Sequence, residues 1–170
     1  MQLLLGCGSR RTKQMYERDK QEWECLVTCD INPDHHPDVV ADLNHIPWPW
    51  GDQTASEIHA YEVLEHLGHQ GDWKFFFQSF GEVWRILQPG GLFFASVPSY
   101  NSHWAWGDPS HTRVLTEGSL VFLDQAVYQE VGKTAMSDFR RYWKHTLRVV
   151  FKSDDGDLFR FCLARCEDEV

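Results

Sequence analysis

Short apolar runs recur along the chain, and each has the length of a buried strand. Seven strands are predicted, over residues 1–5, 24–31, 39–42, 57–61, 92–97, 147–152 and 158–165. Polar or amphipathic stretches separate the first five, a pattern typical of parallel strands joined by crossovers. Ser153-Asp154-Asp155-Gly156-Asp157 joins the last two, and its Asp-Gly step predicts an antiparallel hairpin.

Helical periodicity is clearest over residues 72–87. Apolar side chains recur there at intervals of three and four, at Trp73, Phe76, Phe77, Phe80, Val83, Trp84 and Leu87. Pro89-Gly90-Gly91 is expected to end this helix, and shorter helices are predicted over 10–21 and over 116–123 with Thr116 as N-cap. The alternation predicts a Rossmann-like three-layer α/β/α sandwich, with a mostly parallel sheet and an antiparallel C-terminal hairpin.

One segment between predicted strands contains two prolines and two tryptophans, Ile46-Pro47-Trp48-Pro49-Trp50-Gly51-Asp52. Proline at this density prevents both a helix and pairing inside a sheet. We therefore expect the segment to run extended over the surface, with its tryptophans exposed.

Composition and charge limit the class of protein. A chain of 170 residues that is 42% apolar can bury one core, so a single domain over residues 1–170 is expected. The net charge of −9 disfavours nucleic acid as a partner without excluding it, since Arg140, Arg141, Lys144 and Arg148 could meet a backbone locally. No run has the length of a membrane span or the pattern of a signal peptide, which predicts a soluble, cytoplasmic protein with no membrane partner. A homodimer is left open.

Cysteine usage predicts neither disulfides nor a metal site. Five cysteines is an odd number, and the chain has the features of a cytosolic protein. Cys25 with Cys29, and Cys162 with Cys166, have a spacing that could suggest zinc. Both pairs lie in predicted strands, where residues four apart are separated by about 13 Å, too far to bind one ion.

A glycine turn and a later acid carry the strongest functional signal. Leu3-Leu4-Leu5-Gly6-Cys7-Gly8 takes a buried strand into a Gly-x-Gly turn, and Asp30 ends the next strand. Glycine lets the backbone approach a ligand closely, and an acid on the neighbouring strand can accept both hydroxyls of a ribose. The pattern predicts a nucleoside cofactor, although Asp30 could instead cap a local turn.

A nicotinamide dinucleotide is the competing cofactor of the same fold. Its pyrophosphate fingerprint requires Gly or Ala at the third glycine position, and Arg11 occupies that place. An oxidoreductase is therefore disfavoured.

Five motifs in order resemble those of class I S-adenosylmethionine-dependent methyltransferases, and most closely the small type 11 branch. They are Gly6-Cys7-Gly8, Asp30, Asp42-Leu43, Tyr61-Glu62-Val63-Leu64-Glu65-His66 and Arg85-Ile86-Leu87-Gln88-Pro89-Gly90-Gly91. The resemblance covers residues 1–97 well and extends more loosely through 111–123. It implies that the cofactor is S-adenosylmethionine and that the activity is methyl transfer by in-line displacement.

The resemblance also implies a set of cofactor-binding residues. Gly6, Cys7 and Gly8 would lie against the methionine part, Asp30 would hold the ribose, and Ile31, Asp42 and Leu43 would contact the adenine, with Tyr61 near the sulfonium. The chain departs from the family pattern at Leu4, where an acid is usual, and at Arg10, where a third glycine is usual. Arg10 could pair with the carboxylate of the cofactor or remain solvated.

Candidate catalytic residues are Glu62 and His66, near the sulfonium by the same resemblance, and His111. In type 11 relatives a His-x-Arg before a Thr-initiated helix lies over the acceptor side, so Trp104, His111 and Arg113 are candidate substrate contacts. The alternative is that this loop packs on itself, and that Glu65 and His66 belong to an ordinary helix start. A dedicated base is optional for methyl transfer, which depends mainly on alignment and exclusion of water.

The acceptor is the least determined part of the prediction. The Asn/Asp-Pro-Pro-aromatic box of amino-group DNA methyltransferases is absent, and no Pro-Cys pair supplies a nucleophile for cytosine C5. A small-molecule acceptor such as a nucleotide or another metabolite is favoured, and a protein or a modified base stays open as acceptor. A non-catalytic methyltransferase-like subunit that acts through a partner protein is the alternative, motivated by Leu4 and by the tryptophans Trp48, Trp50, Trp104 and Trp106.

Overall fold

The computed structural model describes residues 1–14 and 22–167, and a single seven-stranded sheet organises them. Its strands are β1 Gln2–Leu5, β2 Leu26–Asp30, β3 Val39–Val40, β4 Ala55–Tyr61, β5 Leu87–Pro98, β6 Thr146–Asp154 and β7 Leu158–Cys166. Their order across the sheet is β3-β2-β1-β4-β5-β7-β6. Neighbours among β1 to β5 pair in parallel, whereas β7 pairs antiparallel with both β5 and β6. The predicted Rossmann-like fold with an antiparallel C-terminal hairpin is confirmed.

The strand order places a topological switch at the centre of the sheet. β1 lies between β2 and β4, so the chain leaves β1 toward one edge, reaches β3, and returns to add β4 and β5 on the other side. The loops that follow β1 and β4 therefore run in opposite directions from the carboxyl ends of these two strands and leave a crevice between them. Open α/β sheets bind ligands in this crevice.

One long helix packs on the sheet in the described part of the chain. Helix α1 spans Trp73–Ile86, as predicted, and its N-cap Asp72 accepts a hydrogen bond from the Phe75 amide at 3.0 Å. α2 (Trp104–Gly107) and α3 (Glu117–Leu120) are single turns, and the predicted helix over 116–123 continues from α3 as a 3₁₀ turn. Among the residues described, no helix combines the length and apolar character that a membrane span requires.

Two predicted elements differ from the structure by more than two residues at an end. In the segment 10–21, residues 10–14 are not helical and 15–21 lie outside the described residues. β5 begins at Leu87, directly after α1, so that Pro89-Gly90-Gly91 belongs to the strand instead of preceding it. The early start arises because Ala55 of β4 pairs with Leu87 across an irregular register.

The main core lies between α1 and one face of the sheet. Alternate strand residues point into it, among them Leu3, Ile58 and Phe93, all fully buried. Phe80 of α1 meets Phe93 edge to face, with ring centroids 6.2 Å apart. The core fixes the register of every strand, because a slip by one residue would turn these side chains to the opposite face.

The proline-rich segment 46–52 does not leave its tryptophans on the surface, which corrects the sequence-based expectation. Trp48 and Trp50 are 3% and 8% exposed and belong to the main core. Two side chains of α1 hold the segment there. Glu82 accepts a hydrogen bond from the Trp48 amide at 2.6 Å, and Arg85 donates to the carbonyls of Trp50 and Trp48 at 2.8 and 3.2 Å.

The turn after β1 requires glycine at its first position. Gly6 has φ +58°, and a Cβ there would lie 2.3 Å from a methyl carbon of Val63. Gly8 also has a positive φ of +48°, but a Cβ at that position would meet open space. The Gly6 backbone and the Val63 side chain therefore approach each other closely at the mouth of the central crevice.

We expect Arg85→Ala to lower the free energy of unfolding by about 3 kcal/mol, since it removes the bonds to the tryptophan segment and leaves Glu82 buried without its partner. Urea denaturation measures the change. Arg140→Ala is the matched control, because Arg140 pairs with Asp138 on the surface, and little change is expected. Equal effects of the two substitutions would contradict the role of Arg85 in holding segment 46–52 against α1.

Gly6→Ala should destabilise the protein more than Gly8→Ala. Both alanines bear the strain of a positive φ, on the order of 1 kcal/mol, but only Gly6→Ala also displaces Val63. Thermal unfolding of the two variants side by side tests this. A Gly8→Ala variant as unstable as Gly6→Ala would show that the loss of stability comes from the positive φ alone and not from displacement of Val63.

Candidate functional site

A cavity of about 470 Å³ opens at the carboxyl ends of β1, β2 and β4. This first cavity is lined by Gly6, Asp30, Ile31, Ala41, Asp42, Leu43, Asn44, Glu62, Val63, His66, Leu67 and Ser110. Its position coincides with the topological switch of the sheet, and its volume is in the range of small-molecule sites. Five of the residues predicted to bind a cofactor, Gly6, Asp30, Ile31, Asp42 and Leu43, line it.

Asp30 joins the two strand ends beside this cavity. One carboxylate oxygen accepts from the Gly8 amide and the other from the Asn32 amide, both at 2.8 Å. The side chain is thus a turn cap and a strand-to-strand link at once. Each oxygen keeps a second lone pair, so the carboxylate can still accept two hydroxyl groups.

Asp42 and Leu43 form the opposite wall. The Asp42 carboxylate accepts from the Asn44 amide at 2.9 Å, and this bond lowers the pKa of Asp42. The Leu43 side chain is buried, and within the described residues its N–H has no hydrogen-bond acceptor. Ile31 stands at the rim with 63% of its surface exposed. An acceptor, an unpaired donor and an apolar cover are the groups that an adenine ring requires.

Arg11 has a structural role that the sequence analysis did not assign. Its guanidinium donates to the carbonyls of His35 and His36 at 2.7 and 3.2 Å, and reaches the Gly8 carbonyl at 3.4 Å. It thereby ties the glycine turn to the loop that follows β2. Arg10 is exposed, and its side chain is outside the residues that line the first cavity.

The Tyr61 side chain points away from the first cavity, which corrects the expectation that it faces a cofactor. Its hydroxyl lies 2.6 Å from Nδ1 of His59 and accepts from the Gln14 amide at 3.2 Å. His59 Nε2 and Lys13 both contact Glu57 at 3.0 Å on this side of the sheet, and burial lowers the pKa of His59. Strand alternation explains the difference, because Ala60 of the same strand points into the opposite core.

A second cavity of about 450 Å³ adjoins the first and is lined by Glu62, Pro98, Ser102, Trp104, Asp108, His111, Asp157 and Leu158. Glu62 is common to both linings, and its φ of +56° is uncommon for a residue other than glycine. Its amide donates to the Ser96 carbonyl at 2.8 Å, which holds this conformation. The strained residue therefore stands where the two cavities meet.

The loop after β5 is attached to the turn after β4. Glu65, in the 3₁₀ turn Leu64–His66, accepts at its carbonyl from the amides of Thr112 and Arg113 at 2.8 and 3.2 Å. His66 Nδ1 donates to the Ser110 carbonyl at 3.1 Å, and His111 Nδ1 donates to the Trp104 carbonyl at 2.9 Å. These bonds bring the rings of His66 and His111 to a centroid distance of 4.8 Å.

Glu65 is a site residue that the sequence analysis did not name among the candidate catalytic residues. It is 2% exposed, and among the described residues no other residue donates a hydrogen bond to either carboxylate oxygen. Burial is the main cause that raises its pKa to about 8. The backbone of Glu65 itself acts to lower the pKa, whereas the charges of Glu62 and Asp108 raise it. The signal in the sequence is the pair Glu65-His66, but only the fold shows that the carboxylate faces inward.

Arg113 does not reach either cavity, which corrects its prediction as a substrate contact. The side chain is buried and donates to the carbonyls of His69 and Asp72 at 3.0 and 2.8 Å. It lies beside Phe76 in a separate, mostly apolar cavity along α1. Arg113 therefore anchors the loop, while Trp104, 60% exposed, and His111 line the second cavity.

Comparison with known proteins found similarity at the level of structure and none at the level of sequence families. No family model matches the sequence, and no curated protein matches it. Solved structures do match over nearly the whole chain, at identities of 15% or less in the examples below.

Three of these structures illustrate the similarity. One is a chain from the complex of the Haloferax volcanii Trm112 methyltransferase activator with a suggested methyltransferase, at 15% identity and TM-score 0.58, covering 98% of this chain and 82% of that one. Another is an S-adenosylmethionine-dependent methyltransferase from Archaeoglobus fulgidus, at 11% identity and TM-score 0.56, with 96% and 85% covered. The third is the N-methyltransferase NodS from Bradyrhizobium japonicum bound to S-adenosylhomocysteine, at 14% identity and TM-score 0.53, with 98% and 78% covered. Sheet order, central crevice and these neighbours lead to one conclusion: the chain has the class I fold of S-adenosylmethionine-dependent methyltransferases.

Proposed function

We propose that this protein is an S-adenosylmethionine-dependent methyltransferase that acts on a small molecule. The observation that carries the proposal is the first cavity, where the Gly6 turn, Asp30 and Asp42 surround one space at the topological switch. A fold of this kind hosts several activities, so the argument depends on the groups in the cavity.

The residues of the first cavity fit the parts of S-adenosylmethionine. Asp30 would accept the ribose hydroxyls, because its carboxylate is held in place by two amides and retains free lone pairs. Asp42 would accept from the adenine amino group, the Leu43 amide would donate to a ring nitrogen, and Ile31 would cover the ring. The backbone at Gly6 and Gly8 would lie against the methionine part, as would Cys7, whose amide is fixed by the Cys29 carbonyl at 3.0 Å.

When bound, this cofactor supplies an electrophilic methyl group, which bonds to a lone pair of the acceptor as the carbon–sulfur bond breaks to leave S-adenosylhomocysteine. The protein would align the acceptor in the second cavity and exclude water from the junction at Glu62. Glu62 is placed to receive a proton from the acceptor, because its side chain borders both cavities. His66 and His111 are further proton acceptors, since their Nδ1 atoms are committed to carbonyls and Nε2 remains basic.

The second cavity favours a small acceptor without negative charge. Its volume of about 450 Å³ suits a metabolite. Glu62, Asp108 and Asp157 supply three carboxylates to its wall, and these repel phosphate groups. Trp104 offers an apolar face on which a planar or cationic group could stack.

A subunit that acts through a partner protein is the second candidate. Tyr100, Trp104 and Trp106 are 52%, 60% and 69% exposed, and they cluster beside the second cavity. One structural neighbour comes from a complex with a methyltransferase activator. The burial of Trp48 and Trp50 removes part of the motivation for this candidate, because only the tryptophans of the later loop remain available.

Asp30→Ala should weaken the binding of S-adenosylhomocysteine at least tenfold, because a charge-assisted hydrogen bond contributes about 1.5–3 kcal/mol. Titration calorimetry measures the affinity. Asp34→Ala is the matched control: Asp34 lies on the same loop, is exposed, and its carboxylate has no hydrogen-bond partner among the described residues. Asp30→Asn, which preserves the shape of the side chain, separates loss of charge from disturbance of the turn. Affinity unchanged in both Asp30 variants would contradict the ribose site.

The choice of cofactor has its own test. S-adenosylhomocysteine should raise the melting temperature of the isolated protein. At a hundredfold excess over its dissociation constant, the ligand stabilises the folded state by about 2.7 kcal/mol. NADH at the same concentration should leave the melting temperature unchanged, because Arg11 stands where the dinucleotide fingerprint needs glycine. Stabilisation by NADH, or binding of S-adenosylhomocysteine only after a partner is added, would favour the competing functions.

A further inference from the structure

Three side chains between the two cavities direct ligand atoms toward one another. Glu65, His66 and His111 each place one such atom within 4.8 Å of those of the other two. His66 lines the first cavity and His111 lines the second. The cluster therefore lies at the boundary between the cofactor space and the acceptor space.

The hydrogen bonds of both histidines determine which ring nitrogen carries the lone pair in the neutral ring. For His111 that nitrogen, Nε2, also lies 3.8 Å from a carboxylate oxygen of Asp108. Nδ1 of His66 lies 3.1 Å from the Ser110 carbonyl, and Nδ1 of His111 lies 2.9 Å from the Trp104 carbonyl. A carbonyl oxygen only accepts, so both Nδ1 atoms carry hydrogen and both neutral rings hold their lone pair on Nε2. A backbone carbonyl on the second nitrogen is the arrangement that orients histidine ligands of metal ions.

The third member of the cluster is a buried carboxylate without a partner. Both Glu65 oxygens are inaccessible to solvent, and within residues 1–14 and 22–167 neither accepts a hydrogen bond from another residue. A buried carboxylate left alone is costly, and two imidazole lone pairs cannot relieve it because they are acceptors as well. The three groups together require a cation among them, either a proton or a metal ion.

We propose that Glu65, His66 and His111 bind a divalent transition-metal ion through one carboxylate oxygen and two Nε2 atoms. Two imidazoles and one carboxylate form the donor set of open, catalytic zinc sites, and they suit Zn²⁺ better than Mg²⁺ or Ca²⁺, which prefer oxygen ligands. Two ligands of one tetrahedral zinc are separated by about 3.3 Å, so the atoms that start within 4.8 Å close by up to about 1.5 Å. This proposal departs from the expectation of no metal, which was based on cysteine spacing.

Charge and position suggest what the ion does. The carboxylates of Glu62 and Asp108 lie near enough to act on Glu65 electrostatically, which adds to the attraction for a dication. Three protein ligands leave a coordination position open for an oxygen or nitrogen of the acceptor. His66 and His111 then serve as ligands, and Glu62 remains the group that receives the proton. This role in acceptor binding depends on the proposed methyl transfer, whereas the ion site itself does not.

Cobalt titration of the full chain tests the site. Protein dialysed against a chelator is titrated with Co²⁺, and one equivalent should produce the visible absorption of low-coordinate cobalt, which Zn²⁺ then displaces. Glu65→Gln, His66→Gln and His111→Gln should each weaken Co²⁺ binding by about 100-fold or more, given that loss of an outer-shell partner already costs 10–100-fold. His69→Gln is the matched control, because His69 is an exposed histidine outside the cluster, and its affinity should equal that of the unmodified protein.

The outcomes separate the two proposals. Absence of a cobalt spectrum in the unmodified protein, or a Co²⁺ affinity of Glu65→Gln and His111→Gln equal to that of the unmodified protein, would overturn the metal site and identify Glu65 as a buried protonated acid. Calorimetry with S-adenosylhomocysteine on the same samples reports on the cofactor site independently. Thermal unfolding confirms that each variant is folded, and His111→Asn replaces His111→Gln if the latter is not.

Discussion

The hydrogen bond from the Gly8 amide to the Asp30 carboxylate connects the two strand ends on which the first cavity is built. β1 and β2 pair in parallel, so their carboxyl ends emerge side by side, and without a link the two following turns would be free to separate. Asp30 joins them with one oxygen and caps its own turn with the other. Arg11 adds a second tie to the His35 carbonyl. The same carboxylate that holds the fold here is the one that we propose to hold a ribose.

A second set of bonds assembles the junction of the two cavities. The Glu65 carbonyl accepts from the amides of Thr112 and Arg113, and Arg113 continues to the carbonyls before α1. The loop after β5 is thereby fixed against the turn after β4 by main-chain contacts. Two histidines and a carboxylate meet as a result. Backbone hydrogen bonds thus position these three side chains, and in the described part of the chain no other residue donates a hydrogen bond to the carboxylate.

The rest of the structure supports this edge of the sheet through its core. Trp48 and Trp50 are drawn inward by Glu82 and Arg85, which satisfy the backbone groups that a proline-rich segment cannot pair in a sheet. Leu43, which follows β3, is buried with the same core, and its carbonyl accepts a hydrogen bond from the Trp48 indole at 3.0 Å. The wall of the first cavity and the tryptophan segment are therefore stabilised together.

The sequence by itself determined the strands, the long helix, the C-terminal hairpin and the glycine turn with its acid, because these depend on local periodicity and on residues with special backbone freedom. The motif resemblance pointed to Asp42, Leu43 and Ile31, and these residues line the first cavity together with Asp30, because parallel pairing brings the strand ends to one edge. Only the tertiary structure decided what long, polar or aromatic side chains do. Arg113, Tyr61, Trp48 and Glu65 could each face solvent, core or site, and the choice follows from which face of the sheet and which carbonyls lie within reach once distant segments have packed.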